Sequence, residues 1–468
     1  MRDGDGPAGW IIKWSSVLRQ STARHASACL AVLLAIAIAL RFLLVVYSPQ
    51  PFGYVWDYYH EGVRLLYSKG RLPASTDCWQ CYHPPLFYVI GWPFYAFQRW
   101  MAPGPDDTIA LRAIAALSLL WSGITIYYGY KLLRLFRCRG ASLLLGMALL
   151  FVFPCLFISS YAAEADILLT AIASAIIYYL TRYFVLTNRM TALDTLRLGI
   201  LAGLAASTKY SGLVVVASII IVFSVHIILG PRRWRALRDL SVVLMLCVLI
   251  GGWKYLDNIQ RFGTPLYANG EAAQGFSVQH RQSFIDDYEF TTLRLGDVIA
   301  LFPPEAPDGT LTRFPVYQSV FTTLHALAWT DMSFFSVPTR HGDGLRPYPF
   351  KTVPRPLVAM VLTLGLVPDA LAVVGFLISF RHRALWPLAI VCSVTAVVYG
   401  WWFTSQALWG LKTKYVLFVV PPSVLFAVVG LGWITRKAPV LGALALLLLA
   451  VFLAVTHVYL LEFAIGRV

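Results

Sequence analysis

Apolar residues in this chain gather into long runs separated by short polar or basic segments. A helix needs about 20 such residues to cross the roughly 30 Å hydrocarbon core of a bilayer. Runs near that length lie at 28–47, 109–130, 141–160, 166–186, 210–229, 240–256, 356–380, 384–404, 415–435 and 439–461, with a shorter one at 198–208. One more, 84–100, has only 17 residues, with Pro93 in its middle and many Trp and Tyr. Two arrangements fit it: a short span, or a helix lying in the outer interface.

Charge chooses between them. Segments 131–139 (KLLRLFRCR) and 231–239 (PRRWRALRD) each carry four basic residues, and such clusters mark the cytoplasmic side. Both reach that side only if 84–100 does not cross, so an interfacial helix is expected there. The result is an all-α polytopic membrane protein with about 11 transmembrane helices (range 10–13). An N-terminal membrane module, 1–256, contains a first external loop, 48–108. A large polar external loop, 257–355, and C-terminal helices, 356–468, complete the chain. The segments expected inside hold 18 Lys and Arg but only Asp3, Asp5, Asp194 and Asp239 among the acids. The acidic chemistry is therefore expected on the outer face.

Composition agrees: 58% of the 468 residues are apolar and 13% charged, and mean hydropathy is +0.67. The net charge of +15 sits in topogenic clusters, with no basic stripe or nucleic-acid motif. The first run reads as an uncleaved signal anchor. Of seven cysteines only Cys78 and Cys81 lie together, as CWQC in the first loop. A local disulfide suits an oxidising compartment, whereas a redox or zinc CxxC would want a second ligand pair.

The first loop concentrates chemistry. Asp57, His60, Glu61, Arg64, Asp77 and His83 fall within 27 positions, beside Trp56, Tyr58, Tyr59, Trp79 and Tyr82. Asp57 and Glu61 are four apart, on one face of a short helix. A carboxylate there can serve as general base towards an acceptor hydroxyl or amine, or simply cap the helix. His83 precedes two prolines at the mouth of the interfacial helix and is either a phosphate or sugar contact or an interfacial polar residue. Glu164 and Asp166 form an acidic turn between spans, expensive unless paired. With Asp57 they could hold a divalent cation such as Mg, Mn or Ca, line a sugar site, or cap the next helix. Lys209, in GLAASTKYSGL, and Lys412 and Lys414, in WGLKTKY, break apolar runs at expected external ends. They read as phosphate contacts or as headgroup anchors. Arg261 is an anion candidate in NIQRFGTPLY, which with Trp329, Asp331, Phe334 and Phe335 reads as a structured lid. Walker, GxSxG and HExxH motifs do not occur.

Taken in order, Asp57, GRLP, YHPPLFY, AEAD, GLAASTKYSGL, NIQRFGTPLY and KTKYVLFVVPP resemble the GT-C integral-membrane glycosyltransferases. The likeness is to bacterial members related to protein O-mannosyltransferases and to the aminoarabinose transferases of lipid A. It implies transfer of a monosaccharide from a polyprenyl-phosphate donor to a cell-envelope glycan, lipid or protein. The reaction would occur on the outer face of the inner membrane, with inversion. It casts Asp57 as base, Lys209 as phosphate ligand with Lys414 as helper, and Tyr58, Tyr82, Glu164 and Asp166 as lining residues. Many relatives carry Asp-Glu where Asp57 is followed by Tyr58, which makes Glu61 the alternative base. Relatives often have Arg where Lys414 stands. Two other classes remain: a transporter or flippase, which needs ionisable residues deep in the spans (Arg41 and Asp369 are the candidates), and a non-catalytic envelope subunit. Within the enzyme class, a ligase using a diphosphate-linked glycan is a further reading.

Overall fold

The computed structural model describes residues 23–47, 59–78, 80–186, 191–230, 233–267, 320–330, 354–405 and 413–465. Among them every regular element is helical. The α-helices are α1 (Ala23–Tyr47), α2 (Tyr59–Lys69), α3 (Leu86–Met101), α4 (Thr108–Leu135), α5 (Ala141–Val152), α6 (Pro154–Ser159), α7 (Ala165–Leu186) and α8 (Ala192–Thr208). Then come α9 (Gly212–Leu229), α10 (Arg233–Phe262), α11 (Val320–Trp329), α12 (Arg355–Ser379), α13 (Trp386–Ser405), α14 (Val420–Lys437) and α15 (Pro439–Ile465). Short 3-10 segments, Arg383–Leu385 and Thr413–Val419, lead into α13 and α14. Among the described residues eight helices are long and apolar enough to span a membrane, with shorter apolar helices at Ala31–Tyr47 and Ala141–Val152.

Each of the 11 runs expected to span falls on these helices, except that 141–160 is broken and 415–435 begins in the 3-10 segment before α14. Helix α5 stops at Val152, Phe153 is non-helical (φ −59°, ψ 107°), and Pro154 opens α6. Proline has no N–H to continue the ladder, so nearby carbonyls need other donors. Arg41 of α1 supplies one: its Nη2 donates to the Phe151 carbonyl at 3.0 Å and its Nη1 to Ala37 at 3.1 Å. Its guanidinium lies 4.6 Å from the Phe157 ring centroid.

Basic segments expected as inside loops are in part helical, as α4 runs through Arg134 and α10 begins at Arg233. Long basic side chains let a helix outrun its apolar stretch, since their stems stay in grease while their heads reach water. Helix α8 starts at Ala192 rather than 198 because Thr191 and Asp194 form a capping box. Helix α10 likewise continues to Phe262, past the expected loop boundary. Helix α3, at 16 residues, is about 24 Å long, short of the hydrocarbon thickness. It packs between α2 and α4.

Small residues let the bundle close. A Cβ at Gly375 would strike the Phe426 carbonyl, and one at Gly430 the Leu371 carbonyl, so α12 and α14 touch backbone to backbone. Among the described helices α7 is the most enclosed of the long apolar ones, buried along most of its length. It carries the acidic turn at its N-terminus, so that turn opens into the centre of the bundle.

Candidate functional site

Two ion pairs form that centre. Glu164 precedes α7 and Asp166 lies in its first turn, where the helix N-terminus favours negative charge. Lys209 ends α8 in extended conformation (φ −163°, ψ 155°). Its Nζ donates to both Asp166 oxygens, at 2.8 and 3.1 Å. Lys414, in the 3-10 segment before α14, donates to Glu164 Oε1 at 2.8 Å. Side-chain exposure is 7% and 1% for the first pair and 1% and 0% for the second. Charges so deeply desolvated persist only with matched partners, and removing one partner strands the other.

Aromatic rings wall this pair of pairs. Lys209 Nζ lies 3.9 Å from the Tyr415 ring centroid and 5.4 Å from that of Tyr59, both within cation–π range. Tyr59 stacks on His83 at 5.9 Å, and His83 contacts Tyr82 at 4.1 Å and Tyr210 at 5.3 Å. The Tyr210 hydroxyl donates towards the Tyr82 and Tyr267 carbonyls, each at 2.9 Å, and accepts from Asn258 Nδ2 at 2.9 Å.

The first loop is braced at several points. Cys78 and Cys81 are disulfide-bonded, which ties up the thiolates that a zinc site would need. Lys254 of α10, buried, donates to Ser75 Oγ at 2.7 Å, and Ser75 donates to Asn258 Oδ1 at 3.3 Å. Arg64 grips Asp107 with two bonds of 2.6 Å, and the Tyr95 hydroxyl adds a third at 2.7 Å, tying α2, α3 and the start of α4 together. Burial alone would raise the Asp107 pKa, but the Arg64 and Tyr95 bonds outweigh it and hold it below the usual carboxylate range. Burial, with Arg64 beside it, pushes His60 down to about 4. Glu61 moves up because burial outweighs Arg64.

In sequence, no family model and no curated protein matches the chain. Solved structures do match in shape. An oligosaccharyltransferase from Archaeoglobus fulgidus, crystallised with Zn and sulfate, aligns with 93% of this chain at TM-score 0.50 and 14% identity. ArnT from Cupriavidus metallidurans in the apo state aligns with 95% at TM-score 0.50 and 14% identity. The fold is that of the GT-C glycosyltransferases. The chain spans 53% of the length of the archaeal protein and 76% of ArnT.

Within this GT-C fold the residues singled out from sequence divide into groups. Glu164, Asp166, Lys209, Lys414, Tyr82 and His83 come together at one place. Arg261 pairs at 2.6 Å with Asp257 one turn back on its own helix. Glu61 lies on α2, in the electrostatic reach of Arg64. Asp57, Tyr58 and Lys412 lie outside the described residues, as do Asp331, Phe334 and Phe335. Among the described residues no three His, Cys, Asp or Glu side chains converge to hold a metal. Glu164 and Asp166 each face an ammonium group, which a divalent cation would have to displace.

Lys254, Ser75 and Asn258 escaped the sequence reading. A signal existed for one: Lys254 breaks an apolar run in GGWKYLD as Lys209 does in AASTKYS. Tyr415 gave no such signal, since only tertiary packing lays its ring on Lys209.

Proposed function

We propose that this chain is a glycosyltransferase that moves a monosaccharide from a polyprenyl-phosphate donor to a cell-envelope acceptor. The observation that carries the reading is the pairing of Lys209 with Asp166 and of Lys414 with Glu164, buried beside an aromatic wall in a GT-C fold. A lipid phosphate arriving here exchanges with Asp166 as the partner of Lys209, so a charge-matched resting site accepts an anion without exposing a bare ammonium. The released carboxylate, with Glu164, then accepts hydrogen bonds from sugar hydroxyls. Asp57, two positions before Tyr59, is the proposed base. It deprotonates the acceptor, whose oxygen or nitrogen attacks the anomeric carbon while the lipid phosphate departs with the bonding electron pair. Tyr59 reaches towards Lys209, which supports an assignment of the base to this stretch of chain.

The transporter reading leans on mid-span charges, and both are already engaged. Arg41 serves two carbonyls, and Asp369 meets His325 and Trp329.

The test follows release of free lipid phosphate from short-chain polyprenyl-phosphate sugars by purified protein. Wild type is expected to release it, Asp57→Asn to lose about 10²-fold or more in rate, and Lys209→Met to lose donor binding. Absence of release with every donor, alongside intact folding, would sink the reading. Equal release by Asp57→Asn would move the base to Glu61. Loss of release on adding a chelator would bring Glu164 and Asp166 in as metal ligands.

A further inference from the structure

Helix α11 comes from the large polar segment between α10 and α12, yet it is wedged into the bundle. Ala326 and Trp329 are buried, and the Trp329 ring sits 4.9 Å from the rings of both Phe153 and Phe452. Phe153 is the break between α5 and α6, and α6 leads directly to Glu164. On the same helix the Leu324 carbonyl accepts from the Thr413 hydroxyl at 3.1 Å, and Thr413 adjoins Lys414. One short helix therefore touches both segments that supply the Glu164–Lys414 pair, which are 250 positions apart in the chain.

What holds α11 against α12 is a hydrogen-bonded pair of buried His325 and half-exposed Asp369. His325, 6% exposed, puts Nδ1 2.6 Å from Asp369 Oδ2 and Nε2 2.8 Å from the Leu362 carbonyl, both on α12. A carbonyl can only accept, so Nε2 carries a proton. The Trp329 indole N–H donates to both Asp369 oxygens at 3.1 Å, so a second residue of α11 meets the same carboxyl group. Each ring nitrogen thus has a partner on α12, which fixes the orientation of the His325 ring.

We propose that His325 is a positioning residue: paired with Asp369, it docks α11 onto α12 and thereby holds the Thr413–Val419 segment and the α5–α6 break in the register that forms the Glu164–Lys414 pair. The consequence for sugar transfer rests on the proposed function; the positioning itself does not.

Hydrogen–deuterium exchange, read peptide by peptide on the full chain in detergent, tests it without any substrate. His325→Gln removes the ring that bridges Asp369 and the Leu362 carbonyl. Exchange in 413–419 and 154–165 is expected to rise about tenfold while α8 and α10 keep wild-type protection. Adding Asp369→Asn lets two amides share a hydrogen bond, so the double variant is expected to recover most of the protection. Unchanged exchange in 413–419 overturns the proposal. So does a rise of equal size in α8 and α10, which marks general loosening, or a double variant as unprotected as His325→Gln. Lipid-phosphate release measured on the same samples reports separately on the transferase reading: protected segments without release in wild type would fail that reading and leave the positioning role standing.

Discussion

Arg41 and Lys209 are both cations buried in apolar surroundings, and they are satisfied in opposite ways. Arg41 donates to two backbone carbonyls and sets its guanidinium 4.6 Å from the Phe157 ring centroid, so these partners are neutral. Lys209 and Lys414 each meet a carboxylate. The chemistry of the two side chains fits this division. A guanidinium fork spans acceptors on two helices, whereas an ammonium is a compact charge best matched by one anion. A buried charge is therefore no sufficient sign of a site. The Arg41 arrangement mends a helix break, and an anion approaching it would have to compete with two carbonyls for the guanidinium. The Lys209 arrangement already contains an anion, and one anion can exchange for another.

The largest effect that can break this contrast is at Glu164. Glu164→Gln takes away the carboxylate that faces the buried Lys414 ammonium and should lower stability by about 3–5 kcal/mol. Thermal unfolding in detergent measures this, and Glu164→Gln with Lys414→Met should regain much of the loss. A single variant as stable as wild type would mean that the pair is not desolvated as described. Next in size is Arg41→Met, which leaves the Phe151 carbonyl without its donor and should cost about 1–3 kcal/mol. Here unfolding temperature should fall while lipid-phosphate release by the folded protein is kept. Release that disappears with fold intact would turn Arg41 from a brace into part of the site.

The smallest effect sharpens the contrast at a group that avoids charge altogether. His60 is pushed down to about 4 by burial and then by Arg64. The unfolded chain binds the proton near 6.5 and the folded chain does not, so stability falls as pH drops from 6.5 towards 4. Between pH 6.5 and 5.5 the loss should be about 1 kcal/mol, read from urea or thermal unfolding at each pH, and His60→Gln should flatten that slope. An unchanged slope in the variant would place the titration elsewhere.

Much of the architecture was legible because crossing a bilayer is a local demand. A run such as 439–461 must be a helix wherever it sits, since no other backbone arrangement satisfies its own polar groups in hydrocarbon. Lys209, Lys414, Glu164 and Asp166 were legible as misfits, polar residues interrupting apolar runs. Their pairing was not. Nothing local links Glu164 to Lys414, and the sequence left a metal, a sugar contact and a helix cap equally open for the acids. The break at Phe153 was also hidden, because a lone proline in an apolar run does not reveal that Arg41, far back in the chain, will supply the missing donor.

By itself, then, the sequence determined that the chain is a many-helix membrane protein, where its helices lie, and which few residues had to find partners. Only the tertiary structure decided who those partners are. Hydrophobic burial depends on the length and composition of each segment, but an ion pair depends on two side chains meeting within about 3–4 Å, and that distance is set by how helices remote in the chain pack together.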